Sequence, residues 1–133
     1  MKNETDELED MLADLDPPYE SMEEHKIGRM LDQYGIPFLY KQATIIYKGG
    51  RNEIWKPSFT LYSYDGAVID YIATGQEIPQ KEEVYKYNQM SAVVLGPKDL
   101  DEPHWEQRLY EKLEQMYRQP FDLMQYAPMH RQE

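Results

Sequence analysis

The 133-residue sequence predicts an α/β domain, an α+β sandwich on a mixed sheet with the core order α-β-β-β-α-β-α. Three observations carry this reading. A capped amphipathic helix opens the regular part of the chain. Three β-rich runs separated by glycine turns follow it. Two segments of helical spacing then bracket one short apolar run. The length suits a single domain with a core that needs no covalent staple. There is no cysteine, which excludes disulfides, thiolate metal sites and cysteine catalysis, and suits a reducing compartment.

Residues 1–20 read as an acidic, flexible arm ending in Asp16-Pro17-Pro18. Leu8, Met11, Leu12 and Leu15 nevertheless fall at amphipathic helical spacing, so the arm has the pattern of a short docking helix. The single domain is read as residues 21–118. Ser21-Met22-Glu23-Glu24 is a capping box, in which the serine hydroxyl accepts from the amide of residue 24 and Glu24 reaches back to the amide of residue 21. Ile27, Met30, Leu31 and Tyr34 continue a helical face, and Gly35 supplies a C-terminal stop. Phe38–Lys48 reads as the first strand. Gly49-Gly50-Arg51-Asn52 is a hairpin turn, and a second strand runs to about Tyr62. Tyr64-Asp65-Gly66 turns the chain into a third strand, Ala67–Ala73.

Gln80–Ser91 has helical spacing through Val84, Tyr87 and Met90. Ala92–Leu95 reads as a buried strand closed by Gly96-Pro97. Asp99 or Asp101 can cap a last helix with Trp105, Leu109, Leu113, Met116 and Tyr117 on its apolar side, ended by Pro120. Residues 119–133 form a C-terminal tail without a clear period. There are no internal repeats.

The formal charge is −11, and the first 18 residues hold seven acids against one lysine. Phosphate neutralisation supplies most nucleic-acid affinity, so this balance disfavours a nucleic-acid partner. No apolar run approaches a membrane span, and the acidic start lacks the pattern of a secretory or transit leader. These features give an expected cytoplasmic protein without a membrane partner.

Three stretches carry a family likeness. "ESMEEHKIGRMLDQYGIPFLYKQ" joins an acid on a capped helix to Gly-Ile and an aromatic strand start. "PSFTLYSYDGAVIDYIATG" has a proline-opened strand, a turn and a β run ending near glycine. "VVLGPKDL" precedes a tryptophan-bearing helix. Over residues 20–118 the chain resembles the PD-(D/E)XK nuclease superfamily. That resemblance implies a restriction-endonuclease-like fold and a site in which carboxylates hold a divalent cation that activates water. It places Glu24, Ser58 and Asp70 at the site, with Glu24 and Asp70 as the ligands for Mg²⁺ or Mn²⁺ if the site is active. The family's acid after the proline is here Ser58. The lysine position falls on Ile72 if Asp70 takes the second acid position, or on Thr74 if Ile72 does. Near the start of the first strand, where the family often has a glutamate, this chain has Lys41 or Gln42.

Plainer roles compete for each residue. Glu23 and Glu24 can serve as cap and helix-dipole partners. Asp70 can face solvent or pair with a lysine, and Ile72 reads as core. His25, His104 and His130 lack any spacing that suggests a metal site or triad. Gly49-Gly50 lacks the lysine and strand-to-helix context of a phosphate loop. Lys81, Lys86 and Lys98 are interspersed with Glu82, Glu83 and Asp99, the pattern of an ordinary solvated face. The expected function is that of a catalytically inactive nuclease-like domain that binds a protein or itself, through exposed tyrosines, Trp55 and Trp105 and without a cofactor. The alternatives are an active Mg²⁺-dependent nuclease using Glu24 and Asp70, helped by Ser58 or a helix lysine such as Lys86, and an acidic nucleic-acid mimic that fills a basic groove.

Overall fold

The computed structural model describes residues 18–118. Its helices are α1 (Met22–Gln33), α2 (Ile78–Tyr87), the short α3 (Pro97–Asp101) and α4 (Trp105–Arg118). Its strands are β1 (Leu39–Tyr40), β2 (Thr44–Lys48), β3 (Arg51–Trp55), β4 (Phe59–Leu61), β5 (Ala67–Tyr71) and β6 (Ala92–Leu95). A mixed four-stranded sheet has the order β1-β4-β5-β6, and β2 and β3 pair as a separate two-stranded sheet. The β5–β6 pair is parallel and the others are antiparallel. The mixed α/β class expected from the sequence is therefore present.

α1 forms where the capping box places it. The Glu24 amide donates to Ser21 Oγ at 3.1 Å. The reciprocal arm differs from expectation, because Glu24 Oε1 accepts from the Glu20 amide at 3.3 Å. At the other end Gly35 adopts φ +69°, its amide donates to Asp32 O, and the Ile36 amide donates to Leu31 O. These two bonds make a Schellman stop, which a glycine enters without steric cost.

The first two predicted strands are each broken once, at facing positions. Lys41 has φ +54° and separates β1 from β2. Lys56-Pro57-Ser58 separates β3 from β4. Proline removes a ladder donor, which suits an interruption better than a central strand position. One backbone bond, Lys41 N to Ser58 O at 3.1 Å, ties the two breaks together. The result is one long hairpin bent at its middle, with Lys41 and Ser58 at the bend. Gly49 and Gly50, at φ +61° and +86°, close its tip with Lys48 opposite Arg51.

The sheet is covered on both faces. Ile27, Met30, Leu31, Phe59, Leu61, Ile69, Val93, Leu95, Leu109 and Leu113 belong to one buried cluster. Ile46, Val68, Ile72, Tyr85 and Val94 form the other. β5 and β6 alternate between the two clusters, which is why their sequences read as nearly continuous apolar runs. Two helix readings change. α2 buries Tyr85, whereas Tyr87, expected on its apolar side, is exposed. Asp99 accepts from the Gly96 amide at 2.7 Å in the short α3, so neither Asp99 nor Asp101 caps α4. The C-terminal tail and most of the N-terminal arm lie outside the described residues. Tyr19 and Glu20, read as part of the arm, pack on the domain.

Tyr19 sits over Gly28 of α1. A methyl at Gly28 would overlap Tyr19 Oη and Cζ and lie 2.9 Å from Cε1. Gly28→Ala gains about 1 kcal/mol of helix propensity but displaces a buried tyrosine worth roughly 1.5–3 kcal/mol. Chemical denaturation should show the variant less stable by about 1 kcal/mol, and Gly28→Ala combined with Tyr19→Ala should be no less stable than Tyr19→Ala alone.

Candidate functional site

Glu24, Ser58 and Asp70 lie together, and all three are buried. Glu24 comes from the first turn of α1, Ser58 from the bend before β4, and Asp70 from β5. Asp70 alternates with Ile69 and Tyr71 and so lies on the same face as Val68 and Ile72, under α2. Ser58 bridges the two acids. Its Oγ donates to Glu24 Oε2 at 2.9 Å and lies 3.5 Å from Asp70 Oδ1. Having one proton, the hydroxyl gives it to the nearer acceptor, and its oxygen accepts from the Tyr71 amide at 3.0 Å. The Ser58 amide donates to Asp70 Oδ1 at 3.3 Å.

Each carboxylate also has one tyrosine and one lysine. Tyr40 Oη donates to Glu24 Oε1 at 2.5 Å, and Lys41 Nζ lies 3.1 Å from Glu24 Oε2. Tyr85 Oη donates to Asp70 Oδ2 at 2.6 Å, and Lys81 Nζ lies 3.6 Å from the same oxygen. The chain of contacts runs Lys41–Glu24–Ser58–Asp70–Lys81 across the molecule. Two buried negative charges meet two ammonium groups, and every carboxylate oxygen has a protein partner. Outside this chain, Glu20 makes a second ion pair with Lys41 at 3.3 Å. Lys81 lies over the Trp55 ring at 4.4 Å, and that ring meets Tyr85 edge-on at 5.3 Å.

Sequence reading missed four of these partners. Lys41 was noted only as standing where the family often has a glutamate, Lys81 was read as part of a solvated face, and Tyr40 and Tyr85 were not singled out. Lys81 is the helix lysine that reaches Asp70, while Lys86, named for that role, is exposed. Glu23 is half-buried and stands outside the chain of contacts. His25 is half-buried beside the Tyr19 ring at 5.7 Å, His104 is exposed, and His130 lies outside the described residues. Trp55 and Trp105 are half-buried, so the exposed apolar surface lies elsewhere.

The arrangement does not fit a divalent cation. Mg²⁺ demands near-octahedral oxygen ligands at about 2.0–2.1 Å. Here the ligand oxygens are already engaged and two ammonium groups hold the adjacent positions. Among the described residues no group of three or more His, Cys, Asp or Glu is placed to hold a metal.

The phenols are strongly affected. Burial, then the charge of Asp70 and the bond to it, raise the Tyr85 pKa well above the usual tyrosine range. Burial and the bond to Glu24 do the same for Tyr40. Burial pushes the Lys41 pKa down, but the charge of Glu24 and the bonds to Glu24 and Glu20 outweigh it, and the net direction is up. An unfolded tyrosine releases its proton near about pH 10, whereas these folded ones retain it. Above that pH the native state binds more protons than the unfolded state, so stability falls as pH rises.

Two outcomes follow. Urea titrations should show this contribution intact below about pH 10 and declining above it, with a shallower decline in Tyr85→Phe. Ser58→Ala leaves a buried carboxylate oxygen and the Tyr71 amide short of a partner, and should cost about 1–3 kcal/mol in the same titration at neutral pH.

No helix among the described residues is long and apolar enough to cross a membrane. No protein-family model, curated protein or solved structure matches the chain.

Proposed function

We propose that the chain is a catalytically inactive, nuclease-like domain that works by binding protein. The observation that carries this reading is the closed charge balance of Glu24 and Asp70 with Lys41 and Lys81. A PD-(D/E)XK site needs its acids available to a cation. In this chain the position after the proline is Ser58, and the hydroxyl joins the two remaining acids instead of adding a third. Lys41, near the start of the first predicted strand where the family often has a glutamate, puts a positive charge beside Glu24. The element order along the chain, read with the bent hairpin as two long strands, supports a restriction-endonuclease-like architecture.

The binding part of the proposal draws on exposed apolar side chains. Ile45 is 67% exposed, Ile54 63% and Tyr87 71%. Side chains of this size left in water on one hairpin and the helix beside it are the material of a protein interface.

Lys81 beside Asp70 is also what favours the rival reading, an active nuclease whose lysine comes from α2. Calorimetric titration with Mg²⁺ and Mn²⁺, run beside a plasmid-cleavage assay, separates the two. The expected result is no saturable metal heat and no cleavage at millimolar metal. Micromolar binding with turnover that Asp70→Ala abolishes would overturn the inactive reading. Ser58→Asp crowds a third carboxylate into the cluster and should lower the melting temperature. Mn²⁺ should restore part of that loss in the variant and leave the natural chain unmoved.

A further inference from the structure

The mixed sheet ends in β1 on one side and β6 on the other. β1 is only two residues long. β6 is longer and carries neither a charge nor a proline, the residues that usually blunt an exposed edge. The ladder shows which of its backbone groups are engaged. β5 and β6 are parallel, with Val68 N donating to Ser91 O and Ile72 N to Leu95 O. In a parallel pair, alternate residues turn both N–H and C=O to the same side. Ser91, Val93 and Leu95 therefore face β5, and Ala92 and Val94 face outward. Among the described residues nothing bonds those outward groups. The next outward amide, that of Gly96, donates to Asp99 Oδ2 at 2.7 Å. Val94 is only 6% exposed, and the backbone groups of buried residues are nearly always paired.

The edge forms the floor of a trough. A cavity of about 760 Å³ is lined by Val94 and Gly96, by Glu82 of α2 and by Lys112 of α4. A second, of about 350 Å³, is lined by Ala92, by Glu82 and Lys86 of α2 and by Met116 of α4. Glu82 belongs to both, so they run on along β6 with a helix on either side. A third cavity, between β6, α3 and α4, has an apolar lining of Val93, Leu95, Leu100 and Leu109 and meets the first at Asp99 and Lys112. Its volume of about 230 Å³ is several times the roughly 30 Å³ share of one water, so it has room for apolar side chains. The two sides of the edge thus differ. Val93 and Leu95 open onto an apolar cavity, whereas Ala92 and Val94 open onto charge.

Positive charge prevails on that second side. Lys86, Lys98 and Lys112 line it and make no ion pair among the described residues. Asp99 is engaged by the Gly96 amide, which leaves Glu82 as the open acid against three lysines. In a chain of net charge −11 this local excess suits an acidic occupant. Successive side chains of a strand point to opposite faces, so an extended segment that alternates apolar and acidic residues matches both sides at once. A second copy would bring its own two helices up to the edge, whereas a single segment brings none.

We propose that the outer edge of β6 takes up an extended acidic segment of a partner protein as an added strand. The backbone of the segment bonds the outward groups of Ala92 and Val94, its apolar side chains enter the cavity beside Leu109, and its acids meet Lys86 and Lys98. This deepens the protein-binding reading and rests on it.

The probe is a capped peptide of strand length that alternates valine with glutamate, added to the full isotope-labelled chain. In the free chain the Ala92 and Val94 amides should exchange at least about tenfold faster than those of Val93 and Leu95. The peptide should slow them by about tenfold, and the same peptide with lysine for glutamate should not. Ala92→Pro removes an outward N–H that bonds nothing in the protein, so the variant should keep its melting temperature within a few degrees and lose the peptide. Lys86→Glu combined with Lys98→Glu leaves the strand untouched and should weaken binding by about tenfold. Protection of Ala92 and Val94 in the free chain would overturn the proposal, with the chain's own residues as occupant if it is independent of concentration and a second copy if it grows. So would a β6 edge unmoved by millimolar peptide. That result would remove this site and leave the protein-binding reading to the β2–β3 hairpin, whereas metal binding with cleavage would remove that reading and leave the amide readouts as they are.

Discussion

A buried carboxylate costs several kcal/mol unless charge and hydrogen bonds are supplied where it lies. This chain buries two around one serine. Much of its local geometry can be understood as meeting that requirement. Lys41, which reaches Glu24, sits where the backbone turns to positive φ and separates β1 from β2. Ser58 reaches both acids because Pro57 interrupts the facing strand at the same level. α2 crosses over the sheet with Tyr85 and Lys81 one turn apart, which brings both to the same oxygen of Asp70. The bend in the long hairpin and the placement of α2 are thus tied to the same polar chain.

That chain also sets what the site can do. A carboxylate acts as a general base or a metal ligand through lone pairs that are available to a newcomer. In this cluster those lone pairs face a serine, two tyrosines, two lysines and backbone amides. The two ammonium groups provide the positive charge that a cation would otherwise bring. The phenols, with pKa values raised by burial and by the acids beside them, remain donors across the physiological range. The cluster is therefore best understood as a polar core that fixes the relation of α1, the hairpin bend, β5 and α2.

Local signals made the main elements legible. Ser21 and Glu24 mark the start of α1, Gly35 its end, and Gly49-Gly50 the hairpin tip, because each depends on residues adjacent in sequence. Glu24, Ser58 and Asp70 could be named as a group only through a resemblance, and their convergence depends on contacts across 34 and 12 residues. The lysines were not legible. A lysine in a strand or on a helix reads as solvated, and nothing nearby in sequence says that a buried acid waits opposite. Tyr85 was overlooked because a three-residue spacing through Val84, Tyr87 and Met90 looked like the apolar stripe. The stripe is too weak to orient α2, and Asp70 selects Tyr85 instead. A positively charged residue at φ +54° beside a Pro-Ser step was the best available hint of the bend, but φ is not written in the sequence.

Gly28 gives Tyr19 a notch in the flank of α1, and the ring in that notch fastens the chain one residue after Pro17-Pro18. The seated ring also meets Tyr40 and Phe59, so the next residue arrives with its amide aimed at Tyr40 Oη and Glu24 Oε1. One missing methyl group on a helix thereby helps to decide how the buried acid at that helix's first turn is shielded from water.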